Sequence, residues 1–147
     1  MPKIENCSWD DVKHGWHTDF GPNTVLIQIA DPATFFPEPK KKFKKISQFE
    51  FLDAEEDDKK FDEDFKIQTW QAHAIVLELK YALLMNYNVI VHCHAGICRS
   101  GAVVEVGLML GFEPTNRFRN PNTLVKKKLM EAAGLLINEK TSAFNEV

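Results

Sequence analysis

Residues 89–104 read VIVHCHAGICRSGAVV, and this stretch decides how the rest of the chain is read. Val89 to His92 is a short apolar run that predicts a strand. It gives way to the small, polar loop CHAGICRS. A helix is expected from about Ser100 to Leu110, closed by Gly111 as its C-cap. Strand, loop and helix in that order form the anion-binding arrangement of α/β sheets. Ligands there sit beyond the carboxyl end of a strand, where a helix N-terminus offers unpaired N–H groups and the positive end of its dipole.

The loop supplies the rest of such a site. The backbone N–H groups of His94, Ala95, Gly96, Ile97, Cys98 and Arg99 can turn inward as a nest, with Gly96 free to take a backbone angle that a β-branched residue resists. Arg99 adds a planar fork able to hold two phosphate oxygens at once, which a lysine could not reproduce. Cys93 stands among these dipoles and beside a fixed cation, an environment that favours thiolate over thiol. One short segment therefore carries both a nucleophile and a cradle for an anion.

Working outward, Thr24 to Ala30 (TVLIQIA) is β-branched and apolar throughout, the pattern of a strand buried on both faces, and Asp31-Pro32 stops it. The residues before Pro22-Asn23 read as a polar, irregular start. Residues 33–45 carry Pro37, Pro39 and the run KKKFKK, and read as a surface connection with solvated lysines. Gln48 to Ala54 (QFEFLDA) alternates like a second strand and runs into the acidic segment Glu55 to Asp64, expected to be an exposed loop. From about Phe65 to Asn86 there is no Gly or Pro, and Trp70, Ala74, Leu77, Tyr81 and Leu84 recur at helical spacing. That stripe predicts a helix packing on the sheet through these residues, with Trp70 and Tyr81 in the core. A last helix is expected over Pro121 to Ala133, and Lys126 to Lys128 on it read as solvated. This order of elements implies an α/β fold, a central, partly parallel sheet flanked by helices. No internal repeat and no second domain are visible, so residues 1–147 read as one domain.

Composition narrows the function. The chain has 147 residues, 44% hydrophobic and 27% charged, in the range of ordinary globular proteins. Lys plus Arg total 18 against 21 Asp plus Glu, a formal charge of −3, so no nucleic-acid partner is expected. No apolar run is long enough to span a membrane, and the opening MPKIENCSWDD lacks an apolar signal stretch, so the expectation is a cytoplasmic protein without a membrane partner. Cys7, Cys93 and Cys98 are an odd set without metal-type spacing, which argues against a disulfide framework and a zinc site. His14, His17 and His73 show no ligand spacing and read as ordinary surface or helix residues, and Cys7 as a bystander.

His92-Cys93, five residues, Arg99-Ser100 resembles the His-Cys-x5-Arg-Ser/Thr loop of the protein tyrosine phosphatase superfamily, especially its small dual-specificity branch. Arg119-Asn120-Pro121-Asn122 with Leu124 resembles the Pro-Asn segment that follows the catalytic helix there. TVLIQIADP and FEFLDAEEDD are similar to the strands and acid loop of compact prokaryotic and viral members. The resemblance spans about residues 24 to 130, and the Cys-Arg loop is its specific part. It implies hydrolysis of phosphotyrosine in protein substrates through a cysteinyl-phosphate, with no metal or cofactor, and leaves tyrosine-only action or action also on phosphoserine and phosphothreonine open. Cys93 would be the nucleophile and Arg99 the binder of the transferring group. Ser100 would assist the sulfur as it leaves, His92 would orient the loop and tune the thiolate, and Asn122 would support the site. It also calls for an Asp as general acid on a loop after a strand. Asp53 ends FEFLD, 40 residues before the cysteine (93 minus 53), and is the choice, with Asp57 and Asp58 as rivals.

Several readings remain open beside the resemblance. Cys98 either merely fits its place or captures an oxidised Cys93. No tyrosine-clamping insertion is recognisable before residue 50, which favours a shallow pocket and dual specificity. The loop lacks the lysine pair of phosphoinositide phosphatases. A silent phosphate-binding module, an RNA 5′-phosphatase and a sulfurtransferase with a similar loop stay as alternatives, and a monomer is expected.

Overall fold

The computed structural model describes residues 1–136. Five strands form its sheet: β1 (Lys3–Cys7), β2 (Thr24–Ala30), β3 (Lys45–Glu50), β4 (Asn88–His92) and the short β5 (Glu113–Pro114). Their order is β3-β2-β4-β1-β5 and every pairing is parallel, which bears out the expected α/β fold and extends the parallel part to the whole sheet. Four helices accompany it: α1 (Trp9–His14), α2 (Thr69–Met85), α3 (Arg99–Leu110) and α4 (Thr123–Ala132). None of them is long and apolar enough to cross a membrane.

β2 matches its expected bounds because all seven of its residues are buried, as a strand covered on both faces requires. On one face Ile4, Ile27, Ile29, Val89 and Val91 join the main core under α2, α3 and α4. On the other, Cys7, Leu26 and Ile90 pack with Val12 of α1, helped by Phe20 and Phe43.

Several expectations need correction. The supposedly irregular start is β1 and α1. A hydrophobic pattern could not reveal β1 because it buries the polar Glu5 and Asn6. The second strand lies at 45–50 rather than 48–54, so the lysine run feeds directly into it. The connection before it is a lid on the smaller core: Pro37 is buried, and its carbonyl accepts from Gln28 Nε2 at 3.1 Å. His17 is likewise buried, 5.6 Å from the Phe43 ring, and not a surface residue.

The largest correction concerns α2. The Trp70, Leu77, Tyr81 and Leu84 side chains are exposed, from 41% at Tyr81 to 84% at Leu84, and the sheet is met instead by Ala72, Ile75, Val76, Leu79 and Ala82. Both sets have helical spacing, so periodicity alone cannot choose between them. Gln71 decides: its Oε1 caps the helix by accepting from the Gln68 N–H at 2.8 Å, and its Nε2 donates to the Glu50 carbonyl at 2.8 Å. That pair of bonds fixes which side of the helix turns inward. Tyr81 lies edge-on to Tyr87 with Lys45 Nζ over its ring.

Candidate active site

The carboxyl ends of β1, β2 and β4 come together in adjacent register: Cys7 opposite His92, and His92 opposite Gln28. The chain leaves β4 at Cys93, winds through residues 94–98 and enters α3 at Arg99. Four carbonyls of this loop are tied into the scaffold. His94 O accepts from Trp9 N at 3.1 Å, Gly96 O from Asn6 Nδ2 at 2.7 Å, Ile97 O from Asn120 N at 3.2 Å and Cys98 O from Asn122 N at 2.9 Å. With the oxygens tied outward, the N–H groups are left over. Among the described residues, none of the amides of residues 94–99 donates to a protein acceptor. Successive amides left without protein acceptors are what a backbone nest offers to an anion.

The sulfur of Cys93 is held at the floor of this nest. Ser100 Oγ lies 3.1 Å from Cys93 Sγ and the Ser100 amide donates to the same sulfur at 3.5 Å, with both residues buried. Gly96 sits at φ +77° against the end of β1; an added Cβ would fall 2.5 Å from Ser8 N and 2.6 Å from Cys7 O. Cys7 thus forms the wall behind the loop, and burial raises its thiol far above the ordinary range.

Above the sulfur opens a cleft of about 360 Å³. Cys93, His94, Ala95, Cys98 and Arg99 line it together with Asp31, Leu52, Asp53 and Phe61. Of the three candidate acids, only Asp53 lines this cleft. Asn122 Nδ2 donates to its Oδ1 at 2.7 Å and to the Ala54 carbonyl at 3.1 Å, which holds the acid loop against the start of α4. Asp57 opens onto a neighbouring cleft, and Asp58 accepts from the Glu55 amide at 2.7 Å. Glu55 in turn accepts from Thr123 and from the Leu124 amide, capping the same helix. Cys98 shares the cleft with Cys93, and its thiol is raised by burial and then by the Asp53 carboxylate, so it stays protonated at neutral pH.

Arg99 is buried and held from two sides: Nη1 donates to Asp31 Oδ1 at 2.7 Å and to the Phe51 carbonyl at 2.8 Å. Its Nε is buried without a partner among the described residues. Sequence reasoning missed Asp31, which it read as a strand stop, and Asn6, which lies in the unrecognised β1. The signal for Asp31 was its place at the carboxyl end of a fully buried strand.

His92 is fully buried, and burial lowers its imidazole to about 4. It is therefore neutral at physiological pH and cannot lend a positive charge to the sulfur. Above pH 6.5 the imidazole is neutral in both folded and unfolded chains and contributes nothing to the pH dependence. Between pH 6.5 and about 4 the unfolded chain takes the proton and the folded one does not, so stability falls with falling pH and levels off at a loss of about 3 kcal/mol. Urea unfolding at a series of pH values in this window is expected to show a shallower acid loss for His92→Asn than for the wild type. Equal slopes would show that His92 is not kept neutral.

No protein-family model matches the sequence, and no curated protein matches it. Solved structures do. The human tyrosine phosphatase-like serine/threonine/tyrosine-interacting protein superposes on 100% of this chain and 95% of its own, with a TM-score of 0.61 and 18% identity. This chain has a dual-specificity phosphatase-like fold. Human DUSP28 agrees over 99% of this chain and 91% of its own, with a TM-score of 0.55 and 13% identity. At such identities the likeness carries the fold alone. A dual-specificity phosphatase-like fold does not by itself specify turnover, and function has to be argued from the site.

Proposed function

We propose that this chain is a cysteine-dependent phosphatase that hydrolyses phosphotyrosine, and also phosphoserine and phosphothreonine, in protein substrates. The observation that carries the reading is the buried Cys93 sulfur, hydrogen-bonded to Ser100 at the head of a loop whose amides have no protein acceptor among the described residues, with Asp53 lining the same cleft. A phosphate group in the nest would receive those N–H donors and the free edge of Arg99. The Cys93 thiolate attacks phosphorus, an S–P bond forms and the ester P–O bond breaks. The proton of Asp53 goes to the departing oxygen, so the ester leaves as an alcohol or phenol. Water then attacks the cysteinyl-phosphate and gives its proton back to Asp53. The S–P bond breaks with its electrons on sulfur, which the Ser100 hydroxyl stabilises, and inorganic phosphate departs.

Two measurements test this. After rapid acid quench of a reaction with an aryl phosphate, mass spectrometry is expected to find phosphate on the Cys93 peptide; turnover without such an adduct at any quench time would sink the covalent route. Loss of the general acid falls hardest on poor leaving groups. Asp53→Asn should slow phenyl phosphate by about 10²–10³-fold and p-nitrophenyl phosphate far less. Asp57→Asn and Asp58→Asn should leave both rates near wild type, and the reverse pattern would move the acid off Asp53.

A second reading has one observation in its favour, the fold match to a protein whose name describes it as phosphatase-like and interacting. In that reading the nest holds a phosphorylated partner without hydrolysing it. The retained set of Cys93, Ser100, Arg99 and Asp53 argues for turnover, because mere binding needs neither a nucleophile nor an acid.

A further inference from the structure

We propose that Asp31 is the positioning residue for Arg99, fixing the guanidinium so that its Nε–Nη2 edge faces the bound phosphate. This rests on reading the cleft as a phosphate site. Asp31 follows the last residue of β2 and is half exposed, whereas Arg99 is 4% exposed. An ion pair with a half-exposed carboxylate ordinarily means little. Here it is one of two contacts on a single nitrogen. The two hydrogens of Nη1 go to Asp31 Oδ1 and to the carbonyl of Phe51, just past β3, so the ends of two neighbouring strands clamp the fork from different directions. A guanidinium is planar, and fixing Nη1 in two directions fixes the plane. Nε and Nη2 remain, the parallel pair of donors that matches two oxygens of one phosphate.

The buried Nε without a partner points the same way. A buried donor is costly while it lacks an acceptor, and the acceptor that would satisfy it is the ligand the cleft is shaped for. The carboxylate also stands near the place of an incoming anion, so it could instead repel phosphate. Its exposure decides between the two effects. Water screens the charge of a half-exposed carboxylate, whereas screening does not weaken the directional hold of a 2.7 Å hydrogen bond on a buried partner.

The test is a calorimetric titration with inorganic phosphate of the wild type, Asp31→Asn, Asp31→Ala, Arg99→Ala and the Asp31→Ala/Arg99→Ala double variant, with kcat and KM for an aryl phosphate on the same set. Asp31→Ala is expected to weaken phosphate binding about tenfold and to lower kcat more than it raises KM, since the fork is needed most in the transition state. Asp31→Asn, which keeps an acceptor oxygen, should stay within about threefold of the wild type. In the Arg99→Ala background, Asp31→Ala should change nothing further, because Asp31 acts through that side chain. Unchanged or tighter phosphate binding in Asp31→Ala, or an effect that survives without Arg99, would overturn the proposal. Should Asp31→Ala not fold, tighter binding by Asp31→Asn overturns it and near-wild-type binding with retained kcat upholds it. A wild type that binds phosphate but never turns over removes the phosphatase reading, while the binding cycle still decides the role of Asp31. A wild type that does not bind phosphate removes both.

Discussion

Replacing Cys93 with serine is expected to abolish aryl phosphate turnover, by at least about 10⁴-fold, while leaving the fold and the capacity to bind phosphate in place. Serine is nearly the same size, so the buried contact with Ser100 can persist as a hydroxyl pair and the core around it loses little. What disappears is chemistry. A hydroxyl is a far weaker nucleophile, and no general base lies within the observed hydrogen bonds of Cys93 to activate one. Its contacts are the Ser100 hydroxyl and amide, and His92 points its Nδ1 to the Cys93 carbonyl rather than to the sulfur. Kinetics with p-nitrophenyl phosphate, paired with calorimetric titration of inorganic phosphate, measures the two halves separately. Residual turnover within tenfold of the wild type would mean that another group does the chemistry. Equal inactivity of wild type and variant, with phosphate binding kept in both, would establish a binding module. Thiosulfate-to-cyanide transfer by the wild type would turn the same sulfur to a different reaction.

Why some of this could be read in the sequence and some not follows from how each part is held together. β2 and β4 lie in the middle of a parallel sheet, so uninterrupted apolar runs were enough to mark them, and the loop between β4 and α3 carries its chemistry in consecutive residues. β1 escaped because its job is partly polar. Asn6 spends its side-chain amide on Gly96 O and Phe118 O, and Glu5 accepts from the Thr18 amide and hydroxyl, so a strand that anchors the loop does not look like a strand. α2 was recognised as a helix but turned the wrong way. It is apolar nearly all round, and its orientation depends on one glutamine bonded across to β3. The partnership of Arg99 with Asp31 joins positions 68 residues apart, and no local pattern encodes it.

Among the described glycines, Gly96→Ala should be the most damaging change to alanine. At φ +77° an alanine pays about 1–2 kcal/mol for the left-handed backbone alone. The added carbon would also press into Ser8 N and Cys7 O, which are backbone atoms at the junction of β1 and α1 and cannot swing aside as a side-chain tip could. Relief requires the loop to lift off β1, which breaks the 2.7 Å bond from Asn6 to the Gly96 carbonyl and lets the surrounding amides turn away from the anion. The expected result is a loss of about 3 kcal/mol or more in urea unfolding and a fall in kcat of at least about 10²-fold, the scale seen when one preorganised oxyanion donor is removed. Gly21 is the matched control: it too has positive φ, +89°, but among the described residues nothing lies within 4 Å of the place its Cβ would take. Gly21→Ala should cost only the backbone share and leave turnover unchanged. If the two variants prove equally mild, the loop is not pressed against β1, and the rigidity that holds the amides around Cys93 must come from elsewhere.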